Sequence, residues 1–466
     1  MAPLLSSRRT LLLGSLALGA TTSLATWAAP GSALPRRPVT AIETDPGELQ
    51  ILRKAIALLQ GKDAGGRPAS DGWQAIANPH VDHCFTGDTR EIHFSWWFWP
   101  WHRAYLLAVE KRLQTVVAEP KLRLAYWDWF SVRGLPGALS SPTYKDGAQD
   151  KPNPLFDPTR AKGPEDRPAG LNTTTITDAV LGGYASEEDL LRRADFAVVG
   201  GQLAPPGGSA STTGVVEGGP HNNIHVWVGG FAGNMSQAFS PLDPAFLFHH
   251  CNIDRLWSVW LKLTSGGAHN NPTDPAWLNH TFPLPHPSGI GTDTYKIADL
   301  LDTEQSGYTY EGEPIRISQA QNERTAQTST TTLKFNTSPL DLSGGEVVTG
   351  LQPLEQGNVR LRDLLPSRPA TLTLSEIRLP PSTTTLAIYV RSEQIQRNEE
   401  QNLVGVYTLL NPRGSSIVTD LRVPLPQRVS ELLATLPNLG FAVVANSVNR
   451  DRMSGFTVRE MTLTIE

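Results

Sequence analysis

Eleven histidines are spread over 466 residues, yet eight crowd into two short stretches: His80, His83, His93 and His102, then His221, His225, His249 and His250. Any use for such a pattern requires the two stretches, far apart along the chain, to meet in space. Local spacing indicates how the second group is presented. Pro220 opens a helix on which His221 and His225 stand four apart, so both imidazoles project from one face, and Gly229 and Gly230 end it. A longer helix from Pro244 supplies His249 and His250, of which one is expected to face the same point.

A lone histidine is more often a packed or surface residue than a ligand, but clustering changes the balance. Imidazoles without thiolate clusters or paired carboxylates suit copper, zinc, iron or nickel rather than magnesium or calcium. Two groups suggest two metals. A dizinc or di-iron hydrolytic centre would add Asp or Glu to bridge and balance the cations, and carboxylates beside these histidines are few. Three neutral nitrogens per metal leave the open, borderline-soft site that copper uses. Phe94, Trp96, Trp97, Phe98, Trp99 and Trp101 surround the first group, an apolar setting that both packs and excludes water.

The rest of the chain sets the frame. At 466 residues two domains are the default. A formal charge of -5 with no long basic run argues against nucleic acid as a partner. Arg8 and Arg9 lead into the apolar run Leu11 to Ala20, which reads as a twin-arginine export signal over residues 1–33 rather than a membrane anchor. The expected location is periplasmic or secreted, with the twin-arginine machinery as a transient partner. Cys84 and Cys251 permit at most one disulfide.

From residue 34 to about 315 the chain reads as mainly α. Helices are expected at Glu48 to Gln60, with Leu49, Leu52, Ile56 and Leu59 on one face; at Trp101 to Val117; and from Pro244 to about Leu263, capped by Asp243. Residues 316–332 read as a polar linker. Beyond them, Thr371 to Leu379, Thr383 to Arg391, Leu403 to Leu410, Gly440 to Val444 and Phe456 to Ile465 alternate in the manner of strands, with one helix at Val429 to Leu436. Residues 333–466 are thus expected to form an all-β sandwich or barrel.

The segments HFSWWFWPWH (His93 to His102), YWDWF (Tyr126 to Phe130), PHNNIHVWVG (Pro220 to Gly229) and DPAFLFHHCNIDRLW (Asp243 to Trp257) resemble tyrosinases and catechol oxidases, the plant-type polyphenol oxidases above all. LDTEQSGYTYE (Leu301 to Glu311) is similar to the segment that closes their catalytic domain. The resemblance implies a four-helix bundle around a dicopper centre, with a C-terminal β domain that shields it. Two copper ions per chain would be held by His80, His93 and His102, and by His221, His225 and His250. His83 and His249 become neighbours of the ligands, and helix spacing agrees: Asp254, four residues after His250, is expected to orient that ring as an acceptor behind it. Cys84, four residues after His80, would be joined to His93 by a thioether. Glu217 and Asn222 match the pair that handles the proton of a monophenol. The implied activity is oxidation of phenols and catechols to ortho-quinones by dioxygen. A haemocyanin-like dioxygen carrier and an ortho-aminophenol oxidase on the same fold are the alternatives.

Overall fold

A computed structural model describes residues 33–61, 69, 71–88, 90–203, 210–263, 269–312, 330–356, 359–365, 367–448 and 453–465. The arginine pair and its apolar run fall outside the described residues, as does most of the expected linker. No described helix is long and apolar enough to cross a membrane.

The first part is built on helices tied by a short strand at each end. Strand β1 (Leu34–Arg36) precedes helix α1 (Pro46–Leu59), which starts earlier than periodicity suggests because the Asp45 carboxylate accepts from Glu48 N–H. Leu49, Leu52, Ile56 and Leu59 are all buried, as expected of one apolar face. Helix α2 (Trp73–His83) ends in His80 and His83, and α3 (Phe98–Val117) begins three residues before the expected Trp101, taking Pro100 into its first turn. Strand β2 (Ser211–Thr213) follows a long irregular stretch. A kink at Gly219 then leads into α4 (Asn222–Gly229), and Gly230, at φ 60°, stops it. Helix α5 (Ala245–Lys262) is capped from Asp243, whose carboxylate accepts from Ala245 N–H and is clamped by Arg160. Strand β3 (Tyr308–Tyr310) returns to pair in parallel with β1.

That pairing delivers Arg36 to the middle of the helices. Fully buried, it donates to Glu110 of α3 at 3.0 Å and to Asp254 of α5 at 3.2 Å, and lies 3.7 Å over the Tyr308 ring. Asp254 also accepts from Arg103 at 2.5 Å and from the Tyr308 and Tyr310 hydroxyls, each at 2.6 Å. Burial would raise its carboxyl pKa, but the two guanidiniums and two hydroxyls outweigh that and hold it below the ordinary value.

Strands β4 (Thr331–Lys334), β5 (Glu346–Val348), β6 (Ala370–Arg378), β7 (Thr384–Arg391), β8 (Leu403–Leu409), β9 (Val418–Pro424), β10 (Asn438–Ser447) and β11 (Thr457–Ile465) make two mainly antiparallel sheets, with helix α6 (Gln427–Leu433) after β9. One sheet runs β5-β10-β7-β8, the other β2-β9-β6-β11-β4. Strand β4 starts inside the stretch read as linker. Strand β2, from the helical part, pairs in parallel with β9 and completes the second sheet. The two parts of the chain therefore share a sheet. Asn223 of α4 donates to the Val406 carbonyl and accepts from Thr408 Oγ1, while the Tyr407 and Tyr184 hydroxyls cross the boundary to Gly182 and Pro424.

Candidate metal centre

Helices α2, α3, α4 and α5, with the loop between α2 and α3 that carries His93 and the turn before α4 that carries His221, bring seven of the eight clustered histidines into one buried core. His221, His225, His249 and His250 have ligand-capable nitrogens all within 4.8 Å of one another, and so do His93, His102 and His221. The two sequence groups are thereby contiguous, with the His102 and His250 rings stacked at 4.2 Å. His83 is the one left out. Half-buried, it points its Nδ1 at the Pro79 carbonyl instead.

The hydrogen bonds sort the ring nitrogens. His80 Nδ1 lies 2.6 Å from the Ala238 carbonyl, His102 Nδ1 2.7 Å from Phe98 O, and His225 Nδ1 2.6 Å from Met235 O. A carbonyl only accepts, so each Nδ1 carries the proton and each Nε2 keeps its lone pair. His221 Nδ1 is 2.8 Å from Asn222 Oδ1, with the same effect. The Nε2 atoms of His221 and His225 lie 3.3 and 3.1 Å from His250 Nε2, while those of His80 and His102 are buried without any partner. Lone pairs gathered in a core with nothing to accept are what a cationic metal satisfies, so the residues fit the group. Burial, reinforced for most by neighbouring imidazoles, pushes the pKa of His80, His102, His221, His249 and His250 well below the usual value, and that of His225 to about 3. All are neutral near pH 7, the state a ligand requires.

Aromatic rings close the site. Phe85 stacks on His93 at 4.8 Å and Phe246 on His250 at 4.0 Å, and Phe98 stands edge-on to His221 at 4.6 Å. Phe85 and Phe94 take left-handed φ values of 56° and 58°, at the two ends of the loop carrying His93. Each costs about 1–3 kcal/mol, which the Glu91 carboxylate helps offset by accepting from the Thr86 and His93 N–H groups. Cys84 and Cys251 are buried and unbonded, which removes a disulfide between them. Cys84 instead groups with His80 and His93, all three ligand atoms within 4.8 Å, and burial raises its thiol pKa.

Two sequence expectations change. Asp254 does not reach His250, whose Nδ1 has no hydrogen-bond partner: its carboxylate is fully engaged by Arg36, Arg103, Tyr308 and Tyr310. His249 does not turn away from its neighbours, since its ring joins the second group and accepts from Trp129 Nε1 at 3.0 Å. Glu217 is fully buried, with Oε1 accepting from Phe94 N–H at 2.8 Å and Oε2 unpaired. Asn222 donates to the Thr408 carbonyl at 2.7 Å, a contact from the C-terminal strands. The backbone carbonyls of Phe98, Met235 and Ala238, and the indole of Trp129, were not predicted. Carbonyls leave no mark on a sequence, while Trp129 was visible only as part of YWDWF.

Residues 70–263 match the family model described as the common central domain of tyrosinase. The chain is 30% identical over 306 residues to the latent chloroplastic polyphenol oxidase of Prunus armeniaca, covering 58% of this chain and 48% of that protein. It is 26% identical over 385 residues to tyrosinase HcTyr1 of Hahella sp. (strain CCB-MM4), 77% of this chain and 76% of that one. A solved latent aurone synthase (polyphenol oxidase) from natural source shares the fold, with TM-score 0.69 at 20% identity over 96% of this chain and 93% of that chain. The chain spans about half the length of the plant relatives it matches, 48% for Prunus armeniaca and 49% for polyphenol oxidase E of Solanum lycopersicum. The segment that matches the tyrosinase central domain, residues 70–263, is the one that carries all eight clustered histidines.

Proposed function

We propose that the buried histidines bind two copper ions, one at His80, His93 and His102 and one at His221, His225 and His250, and that the protein oxidises phenols and catechols to ortho-quinones with dioxygen. One observation carries the reading: four buried imidazoles are fixed through Nδ1, which leaves their Nε2 lone pairs free within one cluster of close nitrogens. Copper bound there supplies dioxygen binding and a two-electron acceptor. The protein's own part is to fix four of the six imidazoles through Nδ1 and to exclude water with Phe85, Phe98 and Phe246.

Glu217 and Asn222 are proposed to serve the monophenol step, in which the phenol must first lose a proton whose ordinary pKa is near 10. Once ionised, the unpaired Glu217 Oε2 is the acceptor on offer; burial raises the carboxyl pKa well above its ordinary value, so the folded protein holds the proton to higher pH and the carboxylate it leaves is the stronger base. The Cys84 to His93 thioether is supported by their proximity. Its formation would join Sγ to a ring carbon with loss of the S–H and C–H hydrogens, a two-electron oxidation with dioxygen as the acceptor, and intact mass would register the two missing hydrogens. Residues 333–466 are proposed to form a domain shielding the site, because Thr408 engages Asn222, and the leader to direct twin-arginine export.

Copper quantification followed by oxygen uptake on catechol, tyrosine and ortho-aminophenol tests the reading. Two coppers per chain with quinone formation from catechol is the expected result, and Glu217→Gln should lose tyrosine hydroxylation while retaining catechol oxidation. A dioxygen carrier is favoured by one observation, the complete burial of Glu217 and Asn222 in the intact chain. Two coppers without uptake on any substrate would establish it.

A further inference from the structure

The second group holds four histidines with mutually close nitrogens, so distance alone admits a four-nitrogen site. The hydrogen bond from Trp129 decides otherwise. Trp129 Nε1 donates to His249 Nδ1 at 3.0 Å, between two fully buried rings. An indole nitrogen is a donor only, so His249 Nδ1 must present a lone pair. An imidazolium, protonated on both nitrogens, would set donor against donor. His249 is therefore held neutral with its proton on Nε2, and that proton occupies the lone pair a metal would need. His249 Nε2 itself makes no hydrogen bond, although the nearby His221 backbone favours a proton on the ring. This polarity is the reverse of that in His80, His102 and His225, whose Nδ1 atoms face carbonyls and whose Nε2 atoms are bare.

We propose that Trp129 is a positioning residue that sets the coordination number of the second metal site: by locking His249 as the Nε2–H tautomer, it limits the site to three imidazoles and keeps one position open. The proposal rests on the metal-binding reading above. Open positions are what separate reactive metal sites from closed structural ones, so a fourth imidazole here would compete directly with exogenous ligands. In Trp129→Phe the ring packing is largely kept but the donor is gone. The His249 proton then exchanges through solvent to Nδ1, and Nε2 becomes a fourth ligand.

The first test needs no metal. In metal-free protein labelled with 15N-histidine, a two-bond 1H–15N spectrum reports which nitrogen of each ring bears the proton, and His249→Gln assigns the His249 signals by their disappearance. Nε2–H is expected at His249, and Nδ1–H would overturn the proposal. The second test reads zinc(II) retention against a chelator. Trp129→Phe, confirmed folded by thermal unfolding, should hold the second ion about tenfold more tightly, the scale of effects from residues that orient ligands. The gain should vanish in Trp129→Phe/His249→Gln. Unchanged retention in folded Trp129→Phe would overturn the proposal. If no variant, nor the parent protein, bound zinc(II) or copper, the metal-binding reading would fail, and the tautomer spectrum would still decide the state of His249.

Discussion

Glu217 sits where burial works against charge. Its carboxyl is sealed from water, receives a single N–H from Phe94, and leaves Oε2 without a partner; burial drives its pKa well above the ordinary value. The folded protein therefore keeps a proton here that the unfolded chain releases above about pH 4.3. In that range the native state binds more protons, so stability falls as pH rises, until the folded pKa is passed. Glu217→Gln, neutral at every pH, should remove this slope. Thermal melts from pH 5 to 8 are expected to show the variant gaining on the parent as pH increases, and a constant difference would contradict the assignment. At this scale the histidines were legible because clustering is a sequence property. The groups that fix their tautomers were not, because three of those acceptors are main-chain oxygens of Phe98, Met235 and Ala238. Nor did the one-turn spacing of His250 and Asp254 predict contact, since buried arginines claim the carboxylate first.

Among elements, α4 depends most on what lies outside the helical part. Asn223, fully buried, donates to the Val180 and Val406 carbonyls and accepts from Thr408 Oγ1, so it fastens the helix bearing His225 to β8. Asn223→Ala would strand these buried groups at roughly 1–3 kcal/mol each. A loss of about 3 kcal/mol or more in denaturant unfolding is expected, with weaker metal retention at His225 than at His80. The periodic elements were readable: the apolar face of α1, the long α5, and β6, β7, β8, β10 and β11 all lie where alternation or 3.6-residue periodicity put them, within a few residues. Strand β9 was missed because VTDLRVP ends in a proline and carries Asp420 and Arg422. Strand β2 was missed because three residues make a strand only when a partner is present, and its partner lies some two hundred residues on in sequence.

For the whole molecule, the C-terminal sheets are joined to the helical part by a shared sheet, by Asn222 and Asn223, and by the tyrosine hydroxyls of Tyr184 and Tyr407. A cut between residues 313 and 329 would sever the chain but none of these contacts. Both fragments are expected to elute together in size exclusion and to separate only under mild denaturant, and immediate separation after cleavage would refute this. Activation, where the sheets shield the site, then requires displacement as well as cleavage.

Arg36 gives the fold a temporal property. It meets Glu110, Asp254 and the Tyr308 ring at one point, held there by the pairing of β1 with β3 and by the Tyr126 backbone, which bonds Arg37 and Val39. On the ribosome, every clustered histidine emerges before Tyr308 does. Until that tyrosine is out, Asp254 lacks two of its hydroxyl donors and β1 lacks its partner. The nascent chain thus carries all eight clustered histidines in an unlatched framework, and the latch closes only after synthesis has passed Tyr310.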